Sequence, residues 1–431
     1  MVNSPTSTPV PDAHTRTSFG ALLRADAARF PVRDVAAREC RTSQGTRCEL
    51  CQASRIDYEL EYTLKAKALR EFWSAHHLPS DTLADLVRSP LGRRYRSVSK
   101  RKVFFHKPNY TLGLLGLDEA RSNTFGIEIS QCMIEPQEHE AVYAAVSAYI
   151  AKNEHRDLAG LLTYVIVKGS TREFTVIVNT SSYAPKQKQM FTAFSKYLTK
   201  HVPSITAVFV FVDAERSKYY LSGNAQLQKK RQLVLHKLFG ASQIFHAVGQ
   251  KKFLYSPLSF SQTNHSILDA FTSKAGALLG LTKKDHLYDL YCGYGLFSLC
   301  LADQAASVTG VELSRDSIED AKANAARQRQ SQTRFIASDI SEEDLPRFMK
   351  HHGETLKVLL DPPRNGTKPG VIEQIAEYAP SRVCHIFCNI EMLPLELKRW
   401  NDAGYRMGEA VPFDMFPGTE ELELMIGLEP A

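Results

Sequence analysis

Near the C-terminal end of this chain stand a thiol, Cys388, and an acidic run in which Glu420, Glu421 and Glu423 are the candidate carboxylates. Cys388 closes the run Val383-Cys384-His385-Ile386-Phe387, which reads as a buried strand, and Asn389 follows it. Glu423 ends the segment Phe416-Pro417-Gly418-Thr419-Glu420-Glu421-Leu422. Upstream, Asp361-Pro362-Pro363-Arg364 follows another apolar run. A thiol adds to an electrophilic carbon, and a carboxylate later removes a proton. The set therefore suggests covalent chemistry on a planar base.

Such groups need rigid elements to aim them, and the surrounding sequence supplies a strand–helix alternation. Strands are expected over 287–291, 307–312, 335–337, 356–360 and 382–387, with closing strands over 404–412 and 422–428 that pair antiparallel. Helices are expected over 296–303 and from the N-cap Ser314 to about residue 329. This spacing predicts an α/β, doubly wound, mostly parallel sheet. The middle of the chain reads differently. Strands over 162–168 and 173–179 flank Gly169-Ser170-Thr171, a helix spans 187–201 and a strand spans 207–212, which makes a smaller α+β unit. The expected division is a flexible N-terminal tail over 1–36, a cysteine-bearing basic region over 37–137, a central α+β domain over 138–255 and the doubly wound domain over 256–431. Within the tail, apolar residues between Phe19 and Phe30 recur at helical spacing, which offers a short amphipathic helix as the alternative.

The 431 residues are 43% hydrophobic, enough for two or three real cores, and no stretch reaches the ~20 apolar residues of a membrane span. The start lacks the apolar core of a secretory signal, so the eight cysteines are read as reduced and cytoplasmic. The net charge of +6 is mild, but its distribution is not even. Between Leu91 and Lys107 stand Arg93, Arg94, Arg96, Lys100, Arg101 and Lys102 with no acid among them, interleaved with Tyr95, Phe104, Phe105 and His106. This is a phosphate-contacting strip or, more simply, a solvated basic face. Cys40, Cys48 and Cys51, with distant Cys132, offer four thiolates; zinc and a four-iron cluster both accept such a set.

Asp289-Leu290-Tyr291-Cys292-Gly293-Tyr294-Gly295 forms a strand and a glycine turn, and Glu312 ends the next strand. Glycines admit a ligand close to the backbone at the sheet edge, and the terminal carboxylate accepts ribose hydroxyls. The third glycine of a nicotinamide fingerprint is missing, so the pattern fits S-adenosylmethionine better. Asp361-Pro362-Pro363 adds methyl transfer to a planar substrate. Cys388 then selects the atom. Uracil C5 becomes a nucleophile only after a thiolate adds to C6, and the adduct resolves only when a base takes the C5 proton.

These residues resemble the RNA uracil-5-methyltransferases. The resemblance runs from Cys40 nearly to the end. It rests on the C-x7-C-x2-C cluster, Phe260-Ser261-Gln262-Thr263-Asn264, the run Asp289 to Gly295, Asp361 to Arg364, Cys388-Asn389, and the run Phe416 to Glu423. The cysteine spacing most resembles the branch that methylates 23S ribosomal RNA and carries a 4Fe–4S cluster. The resemblance implies a C-terminal Rossmann-like class I S-adenosylmethionine methyltransferase domain, with a smaller α+β N-terminal/central domain carrying a four-cysteine cluster site. It implies Cys388 as nucleophile and Glu423 as proton acceptor. It implies Gln262, Tyr291, Glu312 and Asp361 as cofactor contacts, and Cys40, Cys48, Cys51 and Cys132 as ligands of the cluster. The partner is RNA, acted on by a monomer with no membrane. Alternatives are the same reaction on transfer RNA, or a non-catalytic RNA-binding factor that kept the fold. Leu296, Phe387 and Gly418 depart from the family pattern, and the departures at Leu296 and Phe387 motivate that last reading.

Overall fold

A computed structural model describes residues 18–32, 40, 42, 46–48, 50–117, 124–129, 131–169, 172–214, 216, 234–351 and 353–431. The chain forms two compact units. One takes residues 33–55 and 91–266, and the other takes residues 1–32, 56–90 and 267–431.

In the first unit, strands β1 (Val98–His106), β2 (Asn109–Leu117), β3 (Thr124–Ile127), β4 (Leu162–Gly169), β5 (Phe174–Thr180), β6 (Ile205–Val212) and β7 (Val234–Gly240) form one sheet of order β3-β2-β1-β4-β5-β6-β7. Only β5 and β6 run parallel; the helix Lys188–His201 makes their crossover. Helices Gln137–Ile150 and Lys188–His201 cover one face, where Val142, Val146, Phe191 and Phe194 meet Val165, Val167 and Val176. A separate hairpin, β8 (Ile244–Val248) and β9 (Lys251–Tyr255), leads into the Phe260–Asn264 motif.

The second unit carries β10 (His286–Leu290), β11 (Ser307–Glu312), β12 (Thr333–Ala337), β13 (Leu356–Leu360), β14 (Arg382–Phe387), β15 (Tyr405–Phe413) and β16 (Glu423–Pro430) in the order β12-β11-β10-β13-β14-β16-β15. The first five strands are parallel to one another, and β16 runs antiparallel between β14 and β15. β13 is buried throughout, as its unbroken apolar run requires of a central parallel strand.

The observed units divide the chain differently from the expected segmentation. Residues 56–90, assigned from sequence to the cysteine-bearing region, belong with the doubly wound sheet. The helix Tyr58–Ala75 brings Leu64, Ala68, Leu69, Phe72 and Trp73 into that core. Part of the expected flexible tail is also ordered. The helix Phe19–Ala27 adds Phe19, Leu23 and Ala27 to the same core, one residue per helical turn on one face. The reading of 1–36 as tail followed the Pro, Ser and Thr of its first residues, most of which lie outside the described ones.

Candidate active site

The carboxyl edge of the parallel strands gathers three acids. Asp289, on β10, is fully buried; its Oδ2 accepts from the backbone N–H and the hydroxyl of Ser298, at 2.8 and 2.5 Å. Its Oδ1 is buried without a hydrogen-bond partner among the described residues. Glu312 ends β11 and accepts from the Ser314 N–H at 2.8 Å. Asp361 follows β13, its own N–H donating to the Leu290 carbonyl at 3.3 Å. Burial, with repulsion from Glu312, pushes Asp289 up to about 7 against its Ser298 hydrogen bonds; burial, with repulsion from Asp289 and Glu312, pushes Asp361 up to about 7; and burial raises Glu312. An acid cluster of this kind holds donors, such as ribose hydroxyls and an ammonium group.

The turn between β10 and the helix Leu296–Leu301 leaves room for such a ligand. Tyr291, Gly293 and Gly295 all have positive φ, of 68°, 55° and 88°. A Cβ on Gly293 would meet nothing within 4 Å, so the backbone there faces open space. Gly295 is different, since a Cβ there would crowd Ala321 and the Phe335 ring at 3.2–3.3 Å. Its role is close helix–strand packing. The donor-hungry acids and the open glycine turn fit a nucleoside cofactor with hydroxyl and amino groups. Tyr291 and Glu312 stand with Asp361 in this unit; Gln262 is buried in the other unit, after β9.

The pairing of β14 with β16 positions the reactive pair. Their last paired residues are Phe387 and Leu424, so Cys388 and Glu423 are the next step along the same antiparallel ladder. Cys388 is half-buried, and its thiol lies 3.9 Å from the Pro362 carbonyl. Burial first, then Glu423 and Asp361, push the thiol up to about 12, while Arg364 opposes them. Glu423 is buried, its Oε2 without a hydrogen-bond partner among the described residues. Burial and Asp361 hold its carboxyl well above the ordinary range, again against Arg364. Glu421, the neighbouring alternative in sequence, instead pairs with Arg364 at 3.2 Å and is 40% exposed. Asn389 donates to the Arg364 carbonyl at 3.2 Å, tying the residue after Cys388 to the Asp-Pro-Pro-Arg loop.

The sequence reading missed the groups that hold these loops. Lys65 is fully buried and donates to Asp414 Oδ1 at 2.8 Å and to the carbonyls of Phe416 and Glu421 at 3.0 and 3.4 Å. Glu61 lies 3.2 Å from Lys65 and accepts from the Gly418 N–H. The signal was two charges at i and i+4 on the apolar stripe of one helix, a spacing usually taken for an exposed pair. Beneath the Asp361 loop, buried Glu396 accepts from the N–H and hydroxyl of Thr367, both at 2.6 Å. At the helix Phe19–Ala27, the Phe19 N–H donates to Glu391 at 2.8 Å and Arg24 pairs with Glu420.

Cys40, Cys48 and Cys132 share one small buried core in the other unit, with Cys51 packed against it. The Cys40 sulfur accepts from the Met133 N–H at 3.3 Å. Burial raises Cys40, and it raises Cys132 well above its ordinary value, with repulsion from Cys51 and Cys40 adding to the latter. Among the described residues, no group of three or more His, Cys, Asp or Glu side chains is arranged to hold a metal ion. The expected basic strip is also divided. Arg101 turns inward into a buried bidentate pair with Glu135 at 2.7 and 2.6 Å, and Arg94 binds Glu140 and the Cys132 carbonyl at 2.8 and 2.9 Å. Among the described residues, no helix is long and apolar enough to cross a membrane.

Residues 225–430 match the family described as tRNA (Uracil-5-)-methyltransferase. That segment contains the whole second sheet, with Cys388 and Glu423. Over that segment, just under half of the chain, the protein is similar to RNA methyltransferases. Curated relatives are uncharacterized RNA methyltransferases. One from Clostridium acetobutylicum is 27% identical over 321 residues, 72% of this chain and 66% of the relative. One from Halalkalibacterium halodurans is 25% identical over 397 residues, 89% of this chain and 81% of the relative. The chain thus spans just under two thirds of the first and about four fifths of the second. Its fold is that of the Pyrococcus abyssi tRNA (uracil-54, C5)-methyltransferase, solved in complex with S-adenosyl-L-homocysteine. The TM-score is 0.65 at 19% identity, over 89% of this chain and 87% of that one.

Proposed function

We propose that this protein methylates C5 of a uridine in 23S ribosomal RNA through a covalent adduct between Cys388 and C6. The observation that carries the reading is the placement of Cys388 and Glu423 on adjacent strands, one step beyond the Phe387–Leu424 pair and beside the Asp361 loop. S-adenosylmethionine, when bound, supplies the electrophilic methyl group; Tyr291, Glu312 and Asp361 would hold it. Cys388 Sγ, once deprotonated, adds to C6 and makes C5 nucleophilic. Arg364, the neighbouring cation, favours the thiolate. After C5 gains the methyl group, Glu423 takes the C5 proton and the thiolate leaves. The base must leave its stack for the thiolate to reach C6, so the enzyme flips it out. The enzyme works as a cytoplasmic monomer in this reading.

Cys40, Cys48, Cys51 and Cys132 would hold a 4Fe–4S cluster. The packing of Cys51 against the buried core that Cys40, Cys48 and Cys132 share, and the absence of histidine between Cys40 and Cys51, support this assignment. The cluster's role is structural, since metal binding energy is folding energy there.

A second reading is the same reaction on transfer RNA, which the description of the matching family favours. Mapping 5-methyluridine in ribosomal and transfer RNA, with and without the gene, decides between them. Loss of one ribosomal 5-methyluridine supports the first reading. Loss confined to transfer RNA supports the second, and no loss in either overturns both.

A further inference from the structure

The alternation of β1 separates two functions that the sequence lays side by side. Ser99, Arg101 and Val103 face inward, toward the helix Gln137–Ile150, where Arg101 sits over the Tyr143 ring at 4.4 Å. Lys100, Lys102, Phe104 and His106 therefore line the opposite face. Lys100 and His106 are exposed, Lys102 and Phe104 half-buried.

This row has a definite geometry. The Lys102 ammonium lies 5.8 Å from the centre of the Phe104 ring and 5.9 Å from that of Tyr164, its neighbour on β4. The rings of Phe104 and His106 are 6.1 Å apart and tilted by 32°. The far end of the Phe104 ring rests over Gly126 of β3, where a Cβ would lie only 2.7 Å from it. A glycine at that position lets the ring lie down on the sheet. Toward β4, β5 and β6 the same face is apolar and buried, with Tyr164, Ile166, Ile177 and Phe209. Over β1 it becomes cationic, aromatic and open.

Two cations followed by two rings along one strand match a single-stranded polynucleotide, whose phosphates need charge and whose splayed bases need flat apolar partners. A duplex hides those base faces. We propose that the outer face of β1 is a platform for single-stranded RNA, with Phe104 and His106 stacking bases and Lys100 and Lys102 contacting phosphates. The proposal deepens the functional reading above and rests on its RNA substrate. It replaces the strip read from sequence with one strand face, because Arg101 and Arg94 are committed elsewhere.

The test is fluorescence anisotropy on the full chain, with labelled single-stranded RNA of about ten nucleotides and a duplex hairpin as probes. Phe104→Leu, which keeps bulk but removes the ring, should weaken single-strand binding about tenfold. Phe104→Tyr should restore it. The double variant Lys100→Gln, Lys102→Gln should reduce the salt dependence by roughly 0.7 per lysine. Unchanged single-strand affinity in Phe104→Leu, or equal losses on single strand and duplex, would overturn the platform. Equal thermal midpoints among the variants exclude unfolding as the cause. Formation of 5-methyluridine is followed in parallel, with Cys388→Ala as the control. Protein that methylates RNA but binds it independently of Phe104 retires the platform and leaves the reaction. Ring-dependent binding without any 5-methyluridine does the reverse.

Discussion

The backbone carbonyl of Glu421, two residues before Glu423, accepts a hydrogen bond at 3.4 Å from the buried ammonium of Lys65. The helix Tyr58–Ala75 thus reaches the strand that carries the proposed base, through a cation that also neutralises Asp414. Removing that cation leaves Asp414 and Glu61 buried without it. Lys65→Met should lose about 3–5 kcal/mol of stability in chemical denaturation. Adding Glu61→Gln and Asp414→Asn should recover part of that loss, since no charge then remains buried. A Lys65→Met protein as stable as wild type would contradict the network.

RNA containing 5-fluorouridine should trap the enzyme, because fluorine blocks the final proton removal. Mass spectrometry should place the bond at Cys388, and Cys388→Ala should form none. With ordinary RNA, Glu423→Gln should methylate and then stall as a covalent complex. Glu421→Gln should keep turning over, because that carboxylate is engaged with Arg364. Stalling in Glu421→Gln alone would move the base by two residues.

The free enzyme should hold Cys388 as a neutral thiol. Its titration lies near 12, raised by burial and by Glu423 and Asp361. Alkylation of Cys388 by iodoacetamide should therefore keep accelerating from pH 7 to beyond about pH 10, past the range of an ordinary thiol. A plateau near that ordinary range, about pH 8.5, would refute this.

The buried acids give the ligand-free protein an unusual pH profile. Asp289 and Asp361 titrate near 7 in the fold, above their ordinary 3.8. Between those values the folded state binds more protons than the unfolded chain, so stability is greatest below about pH 4 from these groups and falls as pH rises through 7. Thermal midpoints should drop between about pH 4 and 7, and Asp289→Asn should flatten the drop. A rising midpoint in wild type over that window, with no flattening in the variant, would refute the assignment.

Anaerobically purified protein should be brown, with iron and sulfide in near-equal amounts. Cys48→Ser should lose the colour and weaken RNA binding more than S-adenosylmethionine binding. Colourless, fully active protein with stoichiometric zinc would remove the 4Fe–4S assignment and leave the methyl-transfer reading standing.

The second sheet was legible because its strands are nearly continuous apolar runs separated by helical periods. Even the antiparallel closing pair followed from the Leu422–Leu428 segment. Cys388 was singled out by its residue type and place after a strand, and Glu423 through the family resemblance; their adjacency follows only from the β14–β16 register, which no local pattern encodes. Lys65 and Glu61 were illegible for a related reason: what buries them is a loop some 350 residues away. Arg101 shows the limit of counting charge. A run of basic residues along a strand splits between two faces, and the buried half answers to Glu135, 34 positions on.

The place of β16 has a consequence for how the protein comes off the ribosome. This strand, the last of the described ones to be synthesised, inserts between β14 and β15, which are made before it. Until it emerges, the two earlier strands present an open slot, and Cys388 has no Glu423 beside it. A nascent chain stalled before residue 423 would carry the thiol and the Asp361 loop but could not resolve an adduct. The order of translation thus delays the assembly of the proposed catalytic pair until the sheet itself is closed.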